Sequence, residues 1–125
     1  MAFENDPLTE KINGSAISVH RALGPGLLES AYEECLCYEI DQSGLTFRRQ
    51  VALPIIYKAV RLDCGYRMDI VVEERVVVEL KTVERLLPIH EEQMLTYLKL
   101  SGMGIGLLLN FNTPALKDGI RRMLL

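Results

Sequence analysis

Apolar residues recur at steps of three and four along the first third of the chain, and at steps of two through much of the remainder. Ile12, Ala16, Val19 and Leu23 fall on one side of a helix. Asp6 can cap that helix, with Pro7 at its first position, where a missing N–H costs nothing. Gly24-Pro25-Gly26 stops it. A second helix is expected over residues 27–43, with Leu28, Ala31, Tyr32, Cys35, Leu36 and Ile40 along one side and Gly44 as terminator. The period then drops to two. Residues 46–57 read as a strand that Pro54 interrupts or confines to an edge. Lys58-Ala59 turns the chain into a second strand, residues 60–72, bent at Gly65. Glu73 to Arg75 form another turn, and residues 76–81 a third, strongly β-branched strand. Pro88 opens a helix running to about Leu100 and closed by Gly102. Residues 104–111 form a fourth, apolar strand. Thr113-Pro114 then opens a short C-terminal helix, residues 115–124, weakened by Gly119.

This order, α-α-β-β-β-α-β-α, predicts a three-stranded antiparallel meander. The helix after the third strand is long enough to return the fourth parallel to a neighbour. An α/β (α+β mixed-sheet) fold with helices on both faces is the simplest architecture. With 125 residues and no internal repeat, residues 1–125 are expected to form a single domain with a real core.

Composition narrows the classes. A chain that is 49% hydrophobic and 25% charged is globular, not disordered. No apolar run approaches the ~20 residues that span a bilayer, so no membrane partner is expected. The opening Met-Ala-Phe-Glu-Asn-Asp has neither a basic start nor an apolar segment, so no secretory leader is expected. Three cysteines without a CxxC pair give neither a disulfide framework nor a four-thiolate cluster, and a reducing, cytoplasmic setting is the default. Net charge is −3, from 14 Lys+Arg against 17 Asp+Glu. That excludes coating nucleic acid by charge alone, but not an enzyme with a local basic groove.

The chemistry concentrates in Val76-Val-Val-Glu-Leu-Lys81. Alternation puts Val76, Val78 and Leu80 on one face, and Val77, Glu79 and Lys81 on the other. In so apolar a strand, Glu79 and Lys81 are costly to bury unless paired or bound to a metal. An ordinary Glu–Lys pair is the plain reading. Asp69, among apolar residues of the preceding strand, changes the picture. If the turn holds three residues, Val72 opposes Val76 and Asp69 opposes Glu79, whereas a two-residue turn puts Asp69 opposite Val78 on the wrong face. The metal reading therefore predicts an odd turn or a bulge. Two carboxylates beside a lysine suit a hard cation such as Mg2+, which would polarise a phosphoryl group and lower the pKa of a bound water. Lys81 could serve that water or offset charge on the phosphate. Gln93 and Tyr97, four apart on one helical face, could reach the same place or simply make a helix–sheet contact. Glu29 flanks the apolar stripe of the second helix, where it is either a third acidic ligand or a solvated carboxylate at a helix start. His20 and His90 are expected to pack or to lie on the surface, and Cys35 to join the core.

Several ordered motifs carry a resemblance. Gly26-Leu-Leu-Glu29-Ser-Ala-Tyr32 is similar to the signature of the GxxExxY protein family. His20-Arg-Ala-Leu-Gly-Pro-Gly26, Leu62-Asp-Cys-Gly-Tyr-Arg-Met-Asp69, Val78-Glu-Leu-Lys81, His90-Glu-Glu-Gln93 through Tyr97 and Asn110-Phe111 extend it over nearly the whole chain from about Leu8. That family resembles the PD-(D/E)XK nuclease superfamily. The resemblance implies a restriction-endonuclease-like αβββαβ core, here with an extra N-terminal helix and a short C-terminal one. It implies metal-binding acids at Asp69 and Glu79 and the lysine at Lys81. Gln93-x-x-x-Tyr97 resembles the QxxxY motif of RecB-type nucleases, and Glu29 matches a helix glutamate that completes the site in several members. Met68 stands where the superfamily name has a proline, and three cysteines cannot hold the iron–sulfur cluster of some RecB-type relatives.

The expected function is a Mg2+- or Mn2+-dependent nuclease acting on DNA or RNA. Asp69 and Glu79 hold the metal with help from Glu29 and the Leu80 backbone carbonyl. Lys81 assists the attacking water, and Gln93 and Tyr97 position lysine, water or phosphate. The alternative is a non-catalytic nuclease-fold binding module in a larger protein or nucleic-acid assembly. Self-association as a homo-oligomer would enlarge its small binding surface.

Overall fold

The computed structural model describes residues 6–125, and residues 1–5, on which the leader expectation rests, lie outside them. The first helix, α1, is Pro7–Leu23. Asp6 caps it as expected, its carboxylate accepting from the Leu8 N–H at 3.1 Å and the Thr9 hydroxyl at 3.2 Å. Leu8, Ile12, Ala16 and Val19 are buried at the three- and four-residue spacing that made the helix legible. Helix α2 is Glu29–Gln42. It begins two residues later than the apolar pattern predicts, because Leu28 adopts an extended conformation as the cap and stays 77% exposed. Its inner face also turns slightly from the expected stripe: Cys37 is in the core, and Cys35 is only partly buried against it.

The two long strands expected before the third each break in two. Strand β1 is Phe47–Ala52, β2 Ile55–Tyr57, β3 Val60–Leu62 and β4 Arg67–Val72. Pro54 cannot donate to a ladder, so β2 leaves the main sheet there. Gly65, at φ +80°, bends the chain back into β4. Strands β2 and β3 pair only with each other, joined by Lys58 and Ala59, both at positive φ. That backbone twist closes a two-residue hairpin.

Strand β5 is Val76–Lys81, α3 is Pro88–Ser101 and β6 is Ile105–Asn110. The last strand, β7, is Ile120–Leu124. The main sheet runs β1-β4-β5-β6-β7, antiparallel except for the parallel β5–β6 pair reached through α3. The meander and crossover are thus as expected. The expected C-terminal helix is not. Residues 116–119 form one 3-10 turn, and the rest of that segment is β7, paired with β6. Strand β6 is buried along its whole length, and without β7 one edge of its backbone would have no hydrogen-bond partner. Gly119 permits the join: a Cβ there would sit 2.4 Å from the Asn110 carbonyl oxygen.

Both faces of the sheet are covered. Helices α1 and α2 pack over Ile70, Val72, Val76, Val78 and Leu80, while Met94, Tyr97 and Leu98 of α3 pack over Val71, Val77 and Leu108. Among the described residues, no helix is long and apolar enough to cross a membrane.

Candidate active site

The turn between β4 and β5 holds three residues, Glu73 to Arg75, so Val72 pairs with Val76 and Ile70 with Val78. Glu73 and Glu74 both take positive φ, near 50°. Side-chain bonds hold this costly shape. Glu73 accepts from the Thr46 N–H and hydroxyl, each at 2.6 Å, and Glu74 pairs with Arg48 at 2.7 Å. One step beyond the last ladder pair, Asp69 stands opposite Glu79, which is the parity the odd turn was expected to produce.

At that step the carboxylates replace the ladder. The Asp69 N–H donates to Glu79 Oε2 at 2.6 Å, and the Leu80 N–H donates to Asp69 Oδ2 at 2.9 Å. The strands are held together through side chains there, which leaves carboxylate oxygens where carbonyls would otherwise lie. N–H and C=O of one strand residue point to the same edge, so the Leu80 carbonyl is directed towards this gap as well. Side-chain alternation also breaks here. Met68 packs with the α3 layer, while Ile70 packs with the α1–α2 layer.

Electrostatics follow from burial. Glu79 is 5% exposed, and its pKa is pushed up from 4.5 to about 8, by burial first and by the neighbouring Asp69 charge second. Asp69 is raised too, mainly by burial; the Leu80 N–H bond pulls it back. Glu29, the exposed first residue of α2, is raised by partial burial and by Asp69 and lowered by Lys81. Glu29, Asp69, Glu79 and Lys81 therefore share one electrostatic neighbourhood. Among the described residues, however, no three Asp, Glu, His or Cys side chains are gathered as a ready-made metal cluster. Glu29 lies exposed at the start of α2, within electrostatic reach of Asp69 and Lys81 but not gathered with Asp69 and Glu79. What Asp69, Glu79 and the Leu80 carbonyl supply is a set of hard oxygen donors, with no ion pair within 4 Å to either carboxylate among the described residues. Such a donor set fits Mg2+ or Mn2+, which take few carboxylates and retain waters.

Gln93 and Tyr97 meet on α3, with the Gln93 amide donating to the Tyr97 hydroxyl at 3.1 Å. Burial first, then the Glu79 and Asp69 charges, raise the Tyr97 pKa, so the Tyr97 hydroxyl is within electrostatic reach of the carboxylates. His20 is buried, its Nε2 2.8 Å from the Thr113 carbonyl oxygen, and His90 Nδ1 accepts from the Leu87 N–H at the start of α3. His20 is packed in the interior, and His90 is half-buried at the start of α3.

Three residues around the site were not legible as part of it. Gln50 lies opposite Asp69 at the one step where the β1–β4 pairing is interrupted, and sits at φ +49°, strained for a non-glycine residue inside a strand. Its amide donates to Glu33 at 2.9 Å and reaches Asp69 Oδ1 at 3.5 Å. Glu33, 8% exposed, also accepts two bonds from Arg49, at 2.8 and 3.1 Å. A chain of polar contacts thus runs from α2 through β1 to Asp69. The four-residue step from Glu29 to Glu33 could have flagged the helix end of this chain. Nothing local marks Gln50.

The motif residues around the site have structural reasons. Tyr32 stacks on Phe111, with ring centroids 4.5 Å apart. Its hydroxyl donates to the Gly24 carbonyl at 2.5 Å and accepts from the Leu27 N–H at 3.1 Å. It fixes the loop that starts α2 at Glu29, a loop whose Gly24 and Gly26 both take positive φ. Asn110, 1% exposed, bonds both the N–H and the carbonyl of Val83, which ties down the chain just after Lys81.

Residues 6–123 match the sequence profile of the PD-(D/E)XK nuclease superfamily. The match is to the superfamily and does not single out the narrower GxxExxY group. No curated protein and no solved structure matches the chain.

Proposed function

The chain belongs to the PD-(D/E)XK nuclease superfamily, and on that premise we propose that residues 1–125 act as one domain that hydrolyses phosphodiester bonds of nucleic acid with Mg2+ or Mn2+. The observation supporting this most directly is the opposition of Asp69 to Glu79 at a break in the ladder, with Lys81 two residues further along the same face. Asp69, Glu79 and the Leu80 carbonyl would hold the cation, and Glu29 would move in as the carboxylate charge is neutralised. When bound, the cation supplies Lewis-acid polarisation of the phosphate and a more acidic water.

The chain's own groups do the rest. Lys81 orients the attacking water and offsets charge that builds on the phosphate oxygens. The water oxygen bonds to phosphorus, the ester oxygen leaves with the bonding pair, and the water's proton balances it. Gln93 and Tyr97 position the phosphate or Lys81 from α3. The free state of all three cysteines is compatible with a reducing cytoplasm.

A second reading, a nuclease-fold module that binds without cleaving, draws support from the lack of a gathered three-ligand cluster among the described residues. The two separate experimentally. Purified protein is incubated with labelled single- and double-stranded DNA and RNA plus Mn2+. Cleavage in wild type, lost by at least ~100-fold in Lys81→Ala and in Asp69→Ala, is the expected result. Equal cleavage by wild type and Lys81→Ala would mean a contaminant, and no cleavage by either would favour the binding module.

A further inference from the structure

Between the end of α1 and the 3-10 turn that leads into β7 lies a cleft of about 500 Å³. Ile17, Pro25 and Leu116 give it apolar walls. Arg21 lines it from α1 and Lys117 from the 3-10 turn. Both cations are exposed, and neither forms an ion pair among the described residues. In residues 17–25 and 110–119 the one carboxylate is Asp118, and it does not line the cleft. Basic side chains that line other clefts meet acids there. Lys11 shares one with Glu39, and Lys11 and Arg75 share another with Asp6 and Glu73. Two carbonyls at this end of α1 are engaged and do not lie bare beside Arg21. That of His20 accepts the Gly24 N–H at 2.7 Å, and that of Gly24 accepts the Tyr32 hydroxyl.

The cleft adjoins the candidate site. The Lys81 carbonyl accepts from the Phe111 N–H at 2.9 Å, and the Phe111 ring lies 6.3 Å from that of His20. His20 is buried and lines the cleft, where its Nε2 donates to the Thr113 carbonyl at 2.8 Å and ties the two walls together. Cleft and Lys81 therefore lie at one end of the sheet, with Phe111 and His20 between them. Gly24 and Pro25, on the cleft's edge, lead on to Glu29. Two cations without a carboxylate between apolar walls concentrate a positive potential, although the chain as a whole carries −3. Such walls also keep water from screening them as it does on an open surface. The anion that fits is indicated by the neighbouring chemistry. A nucleic-acid strand carries one negative charge at every link, so a strand with one link at Asp69 and Glu79 brings further phosphates past this end of the sheet.

We propose that the cleft between the end of α1 and residues 114–117 takes a backbone phosphate of a nucleic-acid strand, other than the one to be cleaved, through Arg21 and Lys117. His20 is a positioning residue that holds the Thr113 side of the cleft against α1. That the same strand continues to Asp69 and Glu79 rests on the nuclease reading; phosphate binding in the cleft does not. Contacts to phosphate carry no base information, so the cleft would hold strands of any sequence and set their register on the site.

The test is fluorescence anisotropy on the full chain in EDTA, where divalent-dependent cleavage cannot occur. Labelled DNA and RNA of about 16 nucleotides are used, single- and double-stranded, across a salt series. Arg21→Gln and Lys117→Gln are each expected to weaken binding roughly 10-fold and to lower the logarithmic salt slope by about 0.7 to 0.9. Lys99→Gln, which removes an equal charge from exposed α3, serves as control and should change neither. Oligonucleotides with neutral methylphosphonate links reproduce the loss in the wild type, which keeps the test valid if a variant folds poorly. With Mn2+, Arg21→Gln should raise KM by a similar factor and leave kcat unchanged. The proposal is overturned if Arg21→Gln and Lys117→Gln bind as the wild type does, or if Lys99→Gln weakens binding as much as they do. It is also overturned if inorganic phosphate raises the wild-type Tm through Arg21 while oligonucleotide binding ignores that residue, which would assign the cleft to a small free anion. Cleavage that fails while Arg21-dependent binding persists removes the nuclease reading alone. Cleavage that persists with KM unchanged in both variants removes the cleft alone.

Discussion

Replacing Glu79 by Gln should make the metal-free protein more stable at neutral and alkaline pH. Glu79 is buried, and its folded-state pKa of about 8 stands above the ordinary 4.5. A carboxyl whose folded pKa is raised binds its proton more tightly in the folded chain than in the unfolded one. Its ionisation therefore destabilises the fold as pH rises from about 4.5 to about 8, and below that window the penalty is absent. With about 1.4 kcal/mol for each pKa step, the full penalty is about 5 kcal/mol above pH 8 and about 3 kcal/mol at pH 7. Gln has nearly the same volume and keeps an oxygen to accept from the Asp69 N–H, but it cannot ionise. Chemical denaturation of wild type and Glu79→Gln in EDTA, from pH 5 to pH 9, measures the difference directly. The two should converge at pH 5 and diverge above it, with a gain in Tm for Gln on the order of 10–20 °C at pH 8. Mg2+ or Mn2+ should raise the wild-type Tm and leave Glu79→Gln nearly unchanged, because the cation favours the ionised pair. A wild-type stability that is flat between pH 5 and pH 8, or a Gln variant that is equally destabilised across the range, would refute the reasoning.

Three further substitutions probe what holds the site in shape. Tyr32→Phe removes a hydroxyl that bonds both the Gly24 carbonyl and the Leu27 N–H, and should cost about 1–3 kcal/mol by denaturant midpoint while leaving the Phe111 stack. Gly119→Ala places a methyl 2.4 Å from the Asn110 carbonyl oxygen, a rigid backbone atom, so unfolding should become easier by about 1–3 kcal/mol. Hydrogen exchange should show that loss concentrated at β6–β7. Gln50→Ala deletes the link between Glu33 and Asp69. It should lower Mn2+-dependent cleavage by at least ~10-fold, with a stability loss of only about 1 kcal/mol because backbone strain persists at φ +49°. Unchanged cleavage in that variant would show that Asp69 needs no such support.

Local pattern determined most of the frame. The cap at Asp6, the stops at Gly24 and Gly102, and the helix opened at Pro88 are short-range backbone chemistry, and each is readable within one turn of chain. The parity of the two acidic strands is local as well: a turn of three residues, counted on the sequence, is enough to bring Asp69 opposite Glu79. What the chain could not reveal depended on partners far away in sequence. Residues 120–124 form a strand because β6 presents a bare edge there, and no periodicity within that segment records the edge. Gln50 takes the left-handed region at the step of β1 opposite Asp69, 19 residues later, a placement that no local pattern around residue 50 records. Glu29 lies exposed at the start of α2, one of the two placements its spacing left open, and its coupling to Asp69 and Lys81 is set by how α2 packs on the sheet. Periodicity settles which face of an element a residue occupies. Pairing across elements and the cost of desolvating charge settle what that face meets, and both are properties of the assembled fold.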